Sequence, residues 1–151
     1  MTQAIVYVKA QENDIPLLAS LDKLAFNRPF DNAFTEKEFS ELIHNDKVSL
    51  FLVMKEALPI GFYIFEDTKE SEGEIVGIAL SPTHQKQRIG TEILLKLIKE
   101  YGHKKTIKVV THPQNTVALL LYLKHGFVIS EYSDSYYGPY QPRVILYKKN
   151  Y

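Results

Sequence analysis

Two apolar spacings alternate along the chain, and together they predict an ordered series of strands and helices. Ala4–Lys9 alternates apolar and polar residues, which predicts a strand. Asp14 stands where an N-cap is expected, with Pro16 just behind it, and opens a helix to about Phe26. Thr35 with Glu38 three positions on is a capping box for a second helix ending near His44. Val48–Lys55 and Ile60–Glu66 read as a hairpin turning at Glu56–Pro59. A charged loop, DTKESEGE, leads to the strand EIVGIALSP. The polar turn HQKQRIG then opens the helix TEILLKLIKEY. In that helix Ile93, Leu97 and Tyr101, flanked by Leu94 and Ile98, form an apolar stripe. The strand TIKVVT and the helical run NTVALLLYLKHGF follow. Phe127–Tyr132 and Arg143–Lys148 close the series as strands around the aromatic loop SDSYYGPYQP. The order βααβββαβαββ predicts one α/β domain over residues 1–151, with a mixed sheet rather than a repeated parallel array.

Composition narrows the function classes. The 18 basic and 18 acidic residues cancel, so no broad field argues for nucleic acid or an anionic membrane as partner. There is no cysteine, which excludes disulfides, a thiolate nucleophile and Cys-ligated metal. His44, His84, His103, His112 and His125 show no i, i+3 or i, i+4 pairing, so a metal site is not expected. The first residues carry neither a basic start nor a long apolar segment, and no apolar run is long enough to span a bilayer. The expectation is a cytoplasmic protein, monomeric or a small oligomer such as a homodimer.

The stretch Glu74–Phe127 carries the chemistry. A strand feeding a glycine-bearing turn and a helix N-terminus presents backbone N–H groups to a phosphate. Here those groups fall at Gln85, Lys86, Gln87, Arg88, Ile89 and Gly90. One glycine is a weak signal, and an ordinary strand-to-helix connection reads the same way. In the next helix Asn115 and Tyr122 lie two turns apart on one face. By residue type alone Asn115 is a good N-cap and Tyr122 a core tyrosine.

IALSP followed by QKQRIG, and then Asn115-x-x-Ala-x-x-x-Tyr122-x-x-x-Gly-Phe, resembles the two signatures of the GNAT superfamily of N-acetyltransferases. The resemblance covers about 54 residues strongly. It implies a GNAT-like α/β fold, a mixed sheet of about seven strands with about four helices. It also implies transfer of an acetyl group from acetyl-CoA directly to a primary amine, either a peptide N-terminus or a small molecule. Backbone amides at Ile78, Ala79 and Leu80 would then bind pantetheine and the acetyl oxygen, and the turn from Gln85 to Gly90 the pyrophosphate. Asn115 would face the pantetheine arm, and Tyr122 would protonate the leaving sulfur. A phenol with a pKa of about 10 can protonate a thiolate whose thiol pKa is about 8.5.

Two positions depart from the family pattern. Arg88 stands where the first turn glycine is usual, and either crowds the phosphate or swings outward to pair with it; the second is preferred. Val110 stands where some N-terminal acetyltransferases keep a glutamate, which leaves Glu74, His112 or a water chain as the general base. The loop Asp134–Tyr140, with its paired tyrosines, and NRPFDNAF at residues 27–34 are candidate walls of the amine pocket. The contrasting reading is a catalytically idle CoA-binding sensor or interaction module.

Overall fold

In the computed structural model, residues 4–26, 33–85 and 87–150 are described. The predicted Lys86 and most of NRPFDNAF lie outside them. The chain runs β1 (Ile5–Lys9), α1 (Ile15–Ala25), α2 (Glu36–Ile43), β2 (Val48–Lys55), β3 (Leu58–Glu66) and β4 (Glu72–Leu80). It continues with α3 (Ile89–Glu100), β5 (Thr106–Thr111), α4 (Thr116–Lys124), β6 (Val128–Ser133) and β7 (Arg143–Lys149). The order of elements is the one the apolar pattern predicts.

Seven strands form one sheet in the order β1-β2-β3-β4-β5-β7-β6. Every neighbouring pair is antiparallel except β4 with β5, which the α3 crossover makes parallel. The two faces bury different cores. On one, Ile93, Leu94 and Leu97 of α3 pack with Tyr122 and Phe127 against Ile75, Val109 and Leu146 of the sheet. On the other, Leu18 and Leu21 of α1 and Phe39 of α2 cover Leu50, Phe62 and Ala79.

Local chemistry explains where the elements begin. The Thr35 hydroxyl accepts the Glu38 amide at 3.1 Å, and the Glu38 carboxylate accepts the Thr35 amide at 3.0 Å, completing the predicted capping box. Asp14 precedes α1 as expected but does not cap it: residues 12–14 form a 3-10 turn, and its carboxylate accepts the Gln11 amide at 2.8 Å instead. The β2–β3 hairpin is tighter than expected. Glu56 and Ala57 both take left-handed φ, 53° and 62°, so a two-residue turn suffices and β3 starts at Leu58. Pro59 is tolerated there because the register shifts between Val53 and Met54. β4 likewise begins two residues before Glu74, inside the charged segment.

Lys104, buried just before β5, donates to the Asp67 carboxylate and to the carbonyls of Lys69 and Glu70. It fastens the start of β5 to the β3–β4 turn, and so fixes how β5 enters beside β4.

Candidate active site

The parallel pairing of β4 and β5 stops early. Glu72 to Ile75 lie opposite Thr106 to Val109, yet β4 continues to Leu80 and β5 to Thr111 with no further pairing between the two. Against β3 the register also slips: Phe65 faces Ile75 and Ile64 faces Gly77, so Val76 is an extra residue. A bulge of this kind bends its strand and raises the local twist. It falls where β4 leaves β5, and a wedge opens between them.

Which amides face that wedge follows from the strand alternation. Ser81 donates to the Ile60 carbonyl at 2.8 Å, so its N–H points to β3. Two residues back, Ala79 points the same way, while Ile78 and Leu80 turn their N–H groups to the gap. Ala79 is therefore spent on the sheet, and of the three predicted backbone donors only Ile78 and Leu80 face the opening. Gly61 keeps β3 close enough for this arrangement: a Cβ there would lie 2.0 Å from the Ala79 carbonyl oxygen.

The wedge leads into a cavity of about 480 Å³, walled by Val76 and Ile78 of β4 and by Val110 and Thr111 of β5. From α4, Asn115, Ala118 and Tyr122 close one end. The Asn115 side chain accepts the Ala118 amide at 3.2 Å, so it caps α4 and lines the cavity at once. Tyr122 is buried with its ring tilted against Phe127 at 5.4 Å. Burial alone, with no charged group contributing, pushes its pKa to about 12. Its phenol is therefore held protonated.

The turn after β4 lies beyond this cavity. Pro82–His84 make a single 3-10 turn, and the Gln85 side chain donates back to the Leu80 carbonyl at 2.9 Å. The Gln87 side chain receives Lys55 Nζ at 2.8 Å. Arg88 occupies the position before α3 with φ 62° and ψ 12°, the left-handed region, and no side chain caps the helix. That conformation is the physical reason a glycine is usual there. Ile89 is buried, so only its backbone can serve a ligand. A Cβ on Gly90 would meet nothing nearer than Leu80 Cδ1 at 3.8 Å. Of the predicted site residues, then, Ile78, Asn115 and Tyr122 share one cavity, and Gln85 and Gln87–Gly90 form a separate turn beside it.

Two base candidates separate clearly. His112 lines the cavity, but its Nδ1 accepts the Gln114 amide at 3.0 Å. The neutral ring must then carry its proton on Nε2, which makes it a donor. Glu74 does not line the cavity; it faces Lys108 across β4 and β5 at 3.8 Å. Burial raises its pKa, against the pull of Lys108.

A family model, described as the acetyltransferase (GNAT) family, matches residues 18–127. The chain belongs to that family. Among solved structures, the ribosomal-protein-S18-alanine N-acetyltransferase from Escherichia coli superposes with a TM-score of 0.83 at 20% identity, covering 97% of this chain and 94% of that one. The PaiA N-acetyltransferase from Thermoplasma acidophilum, in complex with coenzyme A, gives 0.74 at 18% identity, over 97% and 99%. A GNAT acetyltransferase from Elizabethkingia anophelis with acetyl-CoA bound gives 0.75 at 19%, over 96% and 97%. No curated protein sequence matches.

This GNAT chain builds the far end of its cavity partly from the two stretches expected to wall it, through Phe34 and Tyr137, and partly from residues that the motifs do not mark. Phe26, Phe34 and Glu38 come from the α1–α2 side, and Tyr137, Gln141 and Arg143 from the β6–β7 side. Asp22 joins them; it is buried, and its Oδ2 accepts the Phe34 amide at 2.6 Å. A signal for Asp22 was present in the sequence: it follows Leu18 by four positions, on the apolar face of α1, where an aspartate is out of place. Among the described residues no group of three or more His, Asp or Glu could hold a metal ion, and no helix is long and apolar enough to cross a membrane.

Proposed function

We propose that this GNAT protein is an acetyl-CoA-dependent N-acetyltransferase that transfers the acetyl group directly to the α-amine of a peptide or protein. The observation that carries the reading is convergence. The gap-facing Ile78, the protonated Tyr122 and the helix-capping Asn115 meet in the cavity at the β4–β5 wedge.

Each group has a task in the transfer. The pantetheine arm enters the wedge as a substitute for the missing β5 pairing, taking the exposed amides of β4. When the amine attacks the thioester carbonyl, charge develops on its oxygen, and the Ile78 or Leu80 N–H is placed to receive it. Collapse of the intermediate expels the sulfur, which Tyr122 protonates. Its raised pKa does not defeat this step, because the same burial raises the pKa of a thiol in the cavity. The C–N bond forms on attack, the C–S bond breaks on collapse of the intermediate, and the amine proton passes to solvent.

Polypeptide α-amines are favoured over ε-amines because, among the described residues, neither base candidate serves: Glu74 lies off the cavity and the Nδ1 of His112 is taken by the Gln114 amide. With a pKa of about 7.7–8.0, an α-amine is largely neutral in mildly alkaline water, whereas a lysine amine near 10.4 is not. The similar enzyme from Escherichia coli, a ribosomal-protein-S18-alanine N-acetyltransferase, supports the same acceptor class.

The deciding experiment measures CoA release from acetyl-CoA with peptides bearing free Ala, Ser or Met N-termini. Nα-blocked copies and small polyamines serve as comparators. Turnover confined to free N-termini is expected. Acetyl-CoA binding without turnover on any amine would instead establish an idle CoA-binding module.

A further inference from the structure

The rung before the wedge carries a cation that no motif marks. Glu74 and Lys108 are direct partners in the parallel β4–β5 register, and the next rung, Ile75 with Val109, is the last. Both side chains are about four-fifths buried, with 21% and 22% exposed. Lys108 also reaches away from the strands. Its Nζ donates to the Tyr136 hydroxyl at 3.4 Å and lies 5.8 Å from the centroid of that ring. Tyr136 in turn meets Tyr137 edge to face at 4.8 Å. Tyr137 lies over the Arg143 guanidinium at 4.8 Å, and both line the cavity.

These contacts form one chain, from the root of the wedge through two tyrosines to the far cavity wall. Two cations, Lys108 on β5 and Arg143 on β7, seat the two rings. We propose that Lys108 is a positioning residue for acceptor binding, holding the Tyr136–Tyr137 corner as a fixed wall of the cavity. The proposal rests on the acetyltransferase reading above, because it treats that wall as the acceptor side.

The electrostatics favour Tyr136 as the main partner of Lys108. Burial works against the Lys108 ammonium, but the Tyr136 hydrogen bond and the Glu74 carboxylate outweigh it, and the net shift is upward. Glu74 shifts upward as well, because its burial outweighs the attraction of Lys108. The two shifts disagree about the strength of the ion pair. At 3.8 Å it lies beyond hydrogen-bond reach, so the pair is the weaker contact. A strong pair would have lowered the Glu74 value.

The test compares Lys108→Met and Lys108→Arg with the wild type in two ways. The first is steady-state kinetics with acetyl-CoA and an Ala-initiated hexapeptide. Lys108→Met should raise the peptide KM by roughly tenfold, leave the acetyl-CoA KM within about twofold, and be rescued by Lys108→Arg. The second needs no turnover. The chain has no tryptophan, so Tyr137→Trp gives a single tryptophan at the corner, excited beyond the tyrosine band. Acrylamide should quench it more strongly in the Lys108→Met background than with Lys108 intact. Equal quenching in both backgrounds, or parallel rises in both KM values, overturns the proposal. If no peptide is turned over even by the wild type, the acetyltransferase reading fails, and quenching still decides whether Lys108 fixes the corner.

Discussion

Gln114 donates its backbone N–H to Nδ1 of His112 at 3.0 Å, and this bond sets the tautomer of the neutral ring. A ring nitrogen that accepts an amide proton cannot also be protonated, so the neutral imidazole presents N–H from Nε2. His112 can hold an acceptor carbonyl in place, but cannot remove a proton through that nitrogen.

The pH dependence of turnover should therefore follow the acceptor. We expect kcat/KM for a free α-amine peptide to rise with a limb near pH 8, the amine's own pKa. In His112→Asn the new side chain can still accept the residue-114 amide, as Asx-turns do. That variant should lose less than about tenfold in kcat/KM and keep the limb where it was. A second limb, more acidic than the amine's and lost in His112→Asn, would make the histidine the base.

Tyr122 predicts a different pH signature. With its pKa pushed to about 12, the phenol stays protonated across the working range, and no falling limb is expected below about pH 10. Tyr122→Phe should lower kcat by roughly 10²–10⁴-fold while sparing acetyl-CoA affinity. The same shift is a stability statement. The folded value lies above the unfolded value of 10, so the contribution is fully present below pH 10 and is lost as pH rises towards 12. Alkaline titration of stability should show Tyr122→Phe losing less than the wild type over that window. An equal loss in the two proteins would place Tyr122 in contact with water.

These two residues also show what was legible before the fold was seen. Tyr122 and Asn115 sit at fixed spacings within a single helix, and local spacing survives into three dimensions. The seven strands were legible for the same reason, since period-two alternation is local. The free amides of β4 were expected only through the family resemblance, since no local pattern shows where two strands far apart in sequence stop pairing. The orientation of Ala79 needed the Ser81 bond to Ile60, a contact set by register. Nor could residue type alone reveal that His112 is tautomerically committed. Glu38 and Arg143 reach the cavity from elements whose relative placement no local pattern encodes.

Arg88 carries a backbone cost that glycine would remove. A non-glycine residue at φ 62° costs on the order of 1 kcal/mol. Arg88→Gly should therefore raise the melting temperature by about 2–4 °C. Coenzyme A binding, measured by calorimetry, should move the other way, weakening by roughly three- to tenfold as a charge-assisted phosphate contact is lost. Stabilisation together with markedly tighter binding would show that the guanidinium obstructs the phosphate instead.

Gly61 and Gly77 stand at opposite rungs of the β3–β4 region yet should respond oppositely to alanine. At Gly61 the new Cβ would lie 2.0 Å from the Ala79 carbonyl oxygen, which is backbone and cannot rotate away. At Gly77 it would meet nothing within 4 Å. Overpacking of this kind costs roughly 1–3 kcal/mol, and relief requires β3 and β4 to separate. Separation there would displace Ile78 and Leu80, whose amides face the wedge. Gly61→Ala should thus lower both the urea midpoint and kcat, whereas Gly77→Ala should leave stability within about 0.5 kcal/mol. If Gly61→Ala were as stable and active as the wild type, the close β3–β4 approach would not be what sets the wedge.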